Sequence, residues 1–204
     1  MNKKALLTVA AGIVAVVFIP AFMFVPGEVE VGKAVPEFSL KGIDGKSYSI
    51  SDFKGKVVVL EWSNPNCPYV QRVYKSGIMT AVQKKYADKV VWLTVNSTHP
   101  QHQDFETPEA LTKSYKDWNA TFLTMLLDPD SKVAKMFDAK TTPHMFIIDK
   151  EGKLVYAGGI DDDPRGNKAE KTNYVDAALT SMREGKAVAN TVTRSYGCSI
   201  KSAP

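Results

Sequence analysis

Val57–Tyr74, VVVLEWSNPNCPYVQRVY, decides the reading of this chain. Its first six residues form an uninterrupted valine-rich apolar run, as expected of a central strand covered on both faces. SNPN follows as a polar turn, and then Cys67-Pro68 opens a segment with apolar residues at helical spacing: Val70, Val73, Tyr74, Ile78, Ala81, Val82 and Tyr86. Pro68 fits the first turn of a helix, where a missing N–H is harmless. One amphipathic helix is therefore expected from Cys67 to Tyr86, with a bend at Ser76-Gly77. A thiol at its first turn faces unsatisfied N–H groups and the positive end of the helix dipole, and both favour the thiolate.

Outward from this stretch the elements alternate. Upstream, PEFSL, GIDGK and SYSI read as strand, turn and strand, a β-hairpin. Downstream come a strand at Val90–Ser97, a helix opened by Thr107-Pro108, a strand at TMLLD and a short helix at DSKVAKMFDA. A second hairpin, HMFIID and LVYAGGI, precedes a final helix in NYVDAALTSMREG. DDDPRGNKAEK, from Asp161, reads as a solvated charged loop, and the chain beyond Lys186 as irregular. This order predicts an α/β fold with a mixed central sheet and helices on both faces.

The chain has 204 residues and a net charge of +4, with Lys and Arg scattered, so a nucleic-acid partner is not expected. MNKK precedes 23 uncharged residues, Ala5–Gly27. As a helix these would span about 35 Å, against a hydrocarbon core of about 30 Å. Residues 1–27 read as a signal peptide or an uncleaved membrane anchor, the anchor being favoured because AFMF is a poor cleavage site. Either places the remainder in the periplasm or another extracytoplasmic space, reached through the membrane by the N-terminal helix. Residues 28–35 form a linker. Only two cysteines exist, Cys67 and Cys198. They suffice for one bridge but not for a zinc site, and no metal or other cofactor is expected.

From Pro36 to Val188 the chain resembles the thioredoxin-like superfamily, in its redoxin branch of alkyl hydroperoxide reductase and thiol-specific antioxidant type domains. The resemblance rests on the hydrophobic strand, Cys-Pro at a helix start, and TTPHMFIID (Thr141–Asp149) before the KEGKLVYAGG hairpin. It implies a cis peptide at Thr142-Pro143 lying against Cys67, and a Thr142 backbone offered to an extended substrate segment. Pro68 and Tyr69 would border that segment. It also implies a proton-accepting role for Glu61, six residues before Cys67, where an apolar strand would raise its pKa; the alternative is a carboxylate turned to solvent.

Two features depart from the pattern. Val70 stands where thioredoxins carry a second thiol, so only Cys198, in a tail of residues 189–204, could resolve an adduct on Cys67; a static bridge or a free thiol are the alternatives. Peroxidases of this fold carry Thr where Asn64 stands, and an Arg about where Pro143 stands. Arg72 could supply charge but reads as a surface residue. Without those donors the O–O leaving oxygen lacks stabilisation. Thiol-disulfide exchange on proteins is therefore the expected activity, with Cys67 as nucleophile and a reducing partner protein. Peroxide reduction is the runner-up, and a binding scaffold with a structural bridge the third reading.

Overall fold

The structure is a computed structural model that describes residues 29–202. The signal or anchor reading of residues 1–27 lies outside the described residues.

A seven-stranded sheet runs through the molecule. Its strands are β1 (Ser39–Gly42), β2 (Ser47–Ser49), β3 (Val57–Trp62), β4 (Val90–Asn96), β5 (Thr124–Leu127), β7 (His144–Ile148) and β8 (Leu154–Gly158), in the order β2-β1-β5-β4-β3-β7-β8. β3 sits centrally, parallel to β4 and antiparallel to β7. All six of its residues are buried, which accounts for the unbroken apolar run. Alternate residues feed two cores. Val57 and Val59 pack with α1 (Pro68–Lys75), α2 (Ile78–Tyr86), α3 (Pro108–Asp117) and α5 (Tyr174–Arg183). Val58, Leu60 and Trp62 pack on the other face with α4 (Lys132–Met136) and the aromatic cluster of Phe38, Phe137 and Phe146. The fold is thus mixed α/β, with helices on both faces.

The helix expected from Cys67 to Tyr86 is two helices. Gly77 adopts φ +78°, in the left-handed region, and ends α1 while starting α2. The apolar stripe survives the break: Val70, Val73 and Tyr74 of α1 join Met79, Val82 and Tyr86 of α2 in one core.

Two other expectations are corrected. Asp161 and Asp163, at the head of the supposedly solvated loop, are each 1% exposed. The tail is not wholly irregular: β9 (Cys198–Ser199) pairs antiparallel with β6 (Thr141–Thr142) as a second, two-stranded sheet.

Asp128 stitches the strand ends together. Its carboxylate accepts from Val133 N at 3.1 Å, Ala134 N at 2.9 Å and Ser97 Oγ at 2.7 Å, and burial raises its pKa. Asp128→Ala leaves two buried amide donors of α4 without partners. We expect it to cost about 2–3 kcal/mol, read as a lower urea midpoint with an unchanged slope.

Candidate active site

Cys67 is the N-cap residue of α1, at the carboxyl end of β3. The turn before it is fixed by its own polar groups. Asn64 Oδ1 accepts from Asn66 N at 2.7 Å, and Cys67 N donates to Asn64 O at 3.1 Å. Cys67 O in turn accepts from Gln71 N at 3.0 Å, opening the helix. Pro68 occupies the first turn. Tyr69 is exposed, its ring centroid 6.0 Å from that of Tyr196. Val70 is fully buried in the core, so an apolar contact replaces the second thiol there.

The Thr142-Pro143 peptide is cis. Cys67 Sγ donates to Thr142 O at 3.0 Å, which joins α1 to β6 across 75 residues of sequence. Opposite Thr142 in the register of β6 and β9 stands Cys198. The two sulfurs are 2.7 Å apart. The tail is seated along its length: Thr193 N donates to Ala157 O, Ile200 N to Lys140 O, and Lys201 O accepts from His99 N. Cys198 is thus delivered by backbone pairing. Burial, then the bond and charge of Cys67, push its thiol up to about 12.

Glu61 points into the same core as Cys67, because it alternates with Val57 and Val59 along β3. It is fully buried, and every partner is a donor. Trp92 Nε1 donates at 2.9 Å, Tyr74 OH at 2.9 Å to both carboxylate oxygens, and Gln83 Nε2 at 3.4 Å. Burial outweighs these bonds and raises the carboxyl from 4.5 to about 7. The solvent-facing alternative for Glu61 is excluded. Tyr115 OH donates to Ser63 Oγ at 2.7 Å. Burial first, then the charges of Glu61 and Cys67, raise the Tyr115 hydroxyl well above its usual value.

The Glu61 shift has a stability consequence of definite sign. The folded protein holds this proton more tightly than the unfolded chain, so the benefit is full below about 4.5 and is lost as pH rises to about 7. At ~1.4 kcal/mol per pH unit this approaches about 3 kcal/mol. Glu61→Gln removes the slope. Urea unfolding at acid and alkaline pH should show wild type losing stability relative to the variant by that order, all other titrating groups being common to both.

Arg72 is not a surface residue. Its Nη2 donates to Tyr196 OH at 2.8 Å and lies 3.6 Å from Asp161 Oδ1, while Tyr196 OH donates to that same oxygen at 2.6 Å. This triad ties α1, the loop after β8 and the tail together. Asp161, Tyr196 and the donors around Glu61 were missed from sequence; the position of Arg72 one turn after Cys67 was the available cue. His144 pairs with Trp62, lies with its ring 4.4 Å from that of Phe146 at a tilt of 42°, and is pushed down to about 4 by burial. Where the peroxidase pattern has Thr, Asn64 turns its Nδ2 to Thr98 Oγ1 at 2.8 Å.

A cavity of about 600 Å³ is lined by Tyr69, Thr141, Asp161, Arg194, Tyr196 and Gly197, the residue before Cys198, without reaching either sulfur. A larger one of about 800 Å³ lies by Val57, Val90 and Leu179, at the opposite strand ends, and touches neither cysteine.

Comparison with known proteins agrees with this geometry. The chain is 26% identical over 160 residues to the thiol-disulfide oxidoreductase ResA of Bacillus cereus, covering 75% of this chain and 83% of that protein. An uncharacterized conserved protein from Geobacillus kaustophilus superposes with a TM-score of 0.77 at 30% identity, over 86% of this chain and 93% of the other. A hypothetical protein from Sinorhizobium meliloti 1021 gives 0.75 at 26% identity, over 87% and 97%. The AhpC/TSA family profile matches residues 31–157, more than half of the sequence, and the chain belongs to the AhpC/TSA family.

Proposed function

We propose that this protein is a thiol-disulfide oxidoreductase in which Cys67 attacks and Cys198 resolves. The observation that carries the reading is the 2.7 Å approach of the two sulfurs across the β6–β9 pair. In the reduced protein the Cys67 thiolate attacks one sulfur of a substrate disulfide. A Cys67–substrate bond forms, and the other substrate sulfur leaves as a thiolate and is protonated. Cys198 then loses its proton and attacks Cys67 Sγ. The Cys67–Cys198 bond forms and the second substrate thiol departs. A thiol with so raised an affinity for its proton needs an acceptor. Glu61, at about 7 and buried in the core that also holds Cys67, is matched to that task. A reducing protein partner closes the cycle by the reverse exchange.

Substrate approach uses the β6 edge. Thr142 and Pro143 supply the backbone clamp, and Pro68 and Tyr69 border it. The body at 36–188 carries the chemistry and the tail at 189–204 the second thiol. The uncharged run at Ala5–Gly27 supports an extracytoplasmic location, attached or exported through that segment.

Family membership favours a second reading, peroxide reduction. One experiment separates the two. Reduced protein is mixed in stopped flow with a disulfide-bonded protein or with hydrogen peroxide, and loss of both thiols is followed. The proposal expects the disulfide to be consumed faster; preference for peroxide supports the peroxidase, and inertness toward both supports a scaffold.

A further inference from the structure

The residue before Cys198 has no room for a side chain. Gly197 adopts φ +137°, a backbone state that L residues avoid. A Cβ on it would overlap the carbonyl oxygen of Thr142, stand 2.6 Å from its carbonyl carbon and 3.2 Å from Pro143 N. These atoms belong to the backbone of the clamp, so they cannot swing aside as a flexible side chain would. The same Thr142 carbonyl accepts the Cys67 thiol hydrogen. Close passage of glycine is therefore what lets Cys198 reach its partner sulfur.

The residue before that is also specified. Tyr196 places its hydroxyl between Arg72 and Asp161, and its ring lies 5.7 Å from the Arg72 guanidinium carbon. Arg72 Nε and Nη1 and Asp161 Oδ2 are buried without a partner, so the Arg72 guanidinium donates its one hydrogen bond to this hydroxyl, while Asp161 Oδ1 also accepts from Asp163 N at 3.0 Å. Along the track that leads the tail in, Gly158 and Gly159 are equally committed. A Cβ on Gly158 would collide with Thr193, and one on Gly159 would stand 3.0 Å from Arg194 O.

We propose that the Thr141–Thr142 edge is a seat for an extended Tyr-Gly-Cys segment, that the chain's own tail is its resident occupant, and that a partner protein's cysteine is accepted when glycine precedes it. This rests on the reading of Cys67 as the attacking thiol and names the substrate class for that site: an extended polypeptide strand carrying Gly-Cys, paired antiparallel to β6. The tail and the partner compete for one edge, so the reduced enzyme selects by sequence as well as by redox state.

The test uses the full chain with Cys198→Ser, which keeps Cys67 and the clamp. Two capped peptides, Ser-Tyr-Gly-Cys-Ser-Ile and its Gly→Ala counterpart, are each activated as a 2-pyridyl disulfide. Cys67 thiolate attacks the peptide sulfur, the probe's S–S bond breaks, a Cys67–peptide bond forms, and 2-thiopyridone leaves with the electron pair and takes up a proton. Its release gives the rate. The glycine peptide should react about tenfold faster or more, given the strain and overlap that alanine would impose. Equal rates for the two peptides would overturn the seat while leaving Cys67 as the attacking thiol. Release from neither peptide, while Cys67 still releases 2-thiopyridone from the small probe 2,2′-dipyridyl disulfide, would overturn the seat alone; inertness toward that small disulfide as well would overturn the reading it rests on.

Discussion

Cys67→Ser reduces protein-disulfide exchange to background, a loss of at least about 10³-fold. The structure leaves no substitute nucleophile. Val70 fills the neighbouring position with an apolar side chain locked in the core. Burial, the largest cause of the raised Cys198 pKa, persists in the variant and still disfavours its thiolate. The serine hydroxyl is nearly isosteric and can still donate to Thr142 O, as the thiol does at 3.0 Å. The fold should therefore persist, and circular dichroism and the urea midpoint should match wild type to within about 1 kcal/mol. The measurement is reduction of a disulfide-bonded protein in a thiol-containing buffer, scored beside the wild-type enzyme.

Cys198→Ser separates the two halves of the reaction. Attack by Cys67 is retained, so a first burst of substrate capture survives. Resolution fails, and turnover falls by about 10² or more, because a docked thiol reacts as if present at far higher concentration than any free thiol. The reason is specific to the tail. Pairing with β6 sets Cys198 opposite Thr142, and the Arg72–Asp161–Tyr196 triad fixes the chain two residues upstream. The expected product is a mixed disulfide between Cys67 and substrate, stable enough to appear as a mass shift on a non-reducing gel and released by dithiothreitol.

These expectations draw unequally on sequence and on structure. VVVLEW announced a central strand because a strand covered on both faces has no polar side, and Cys-Pro at its end announced the helix start. Glu61 was legible because a carboxylate in such a run is out of place. The helix break at Gly77 was half legible: the glycine was visible, but not that it would adopt the left-handed state and cap a new helix. What stayed hidden is long-range. β6 and β9 are two residues each, too short for any periodicity, and they meet across a wide sequence gap. Asp161 looked solvated because it heads a charged stretch; its burial depends on Arg72, far away along the chain. Gly158 and Gly159 read only as part of the LVYAGGI strand and Gly197 as part of an irregular tail, although they line the contact between tail and sheet.

The central claim is that Cys67 and Cys198 work as one redox pair. The most direct measurement equilibrates wild-type protein in a graded series of reduced and oxidised glutathione, quenches with acid, and counts free thiols by alkylation and intact mass. The account predicts that both thiols disappear together, in one two-electron step, with an intramolecular bridge as the product. Loss of the Cys67 thiol while Cys198 stays free, with glutathione or oxygen added to Cys67 alone, would contradict it.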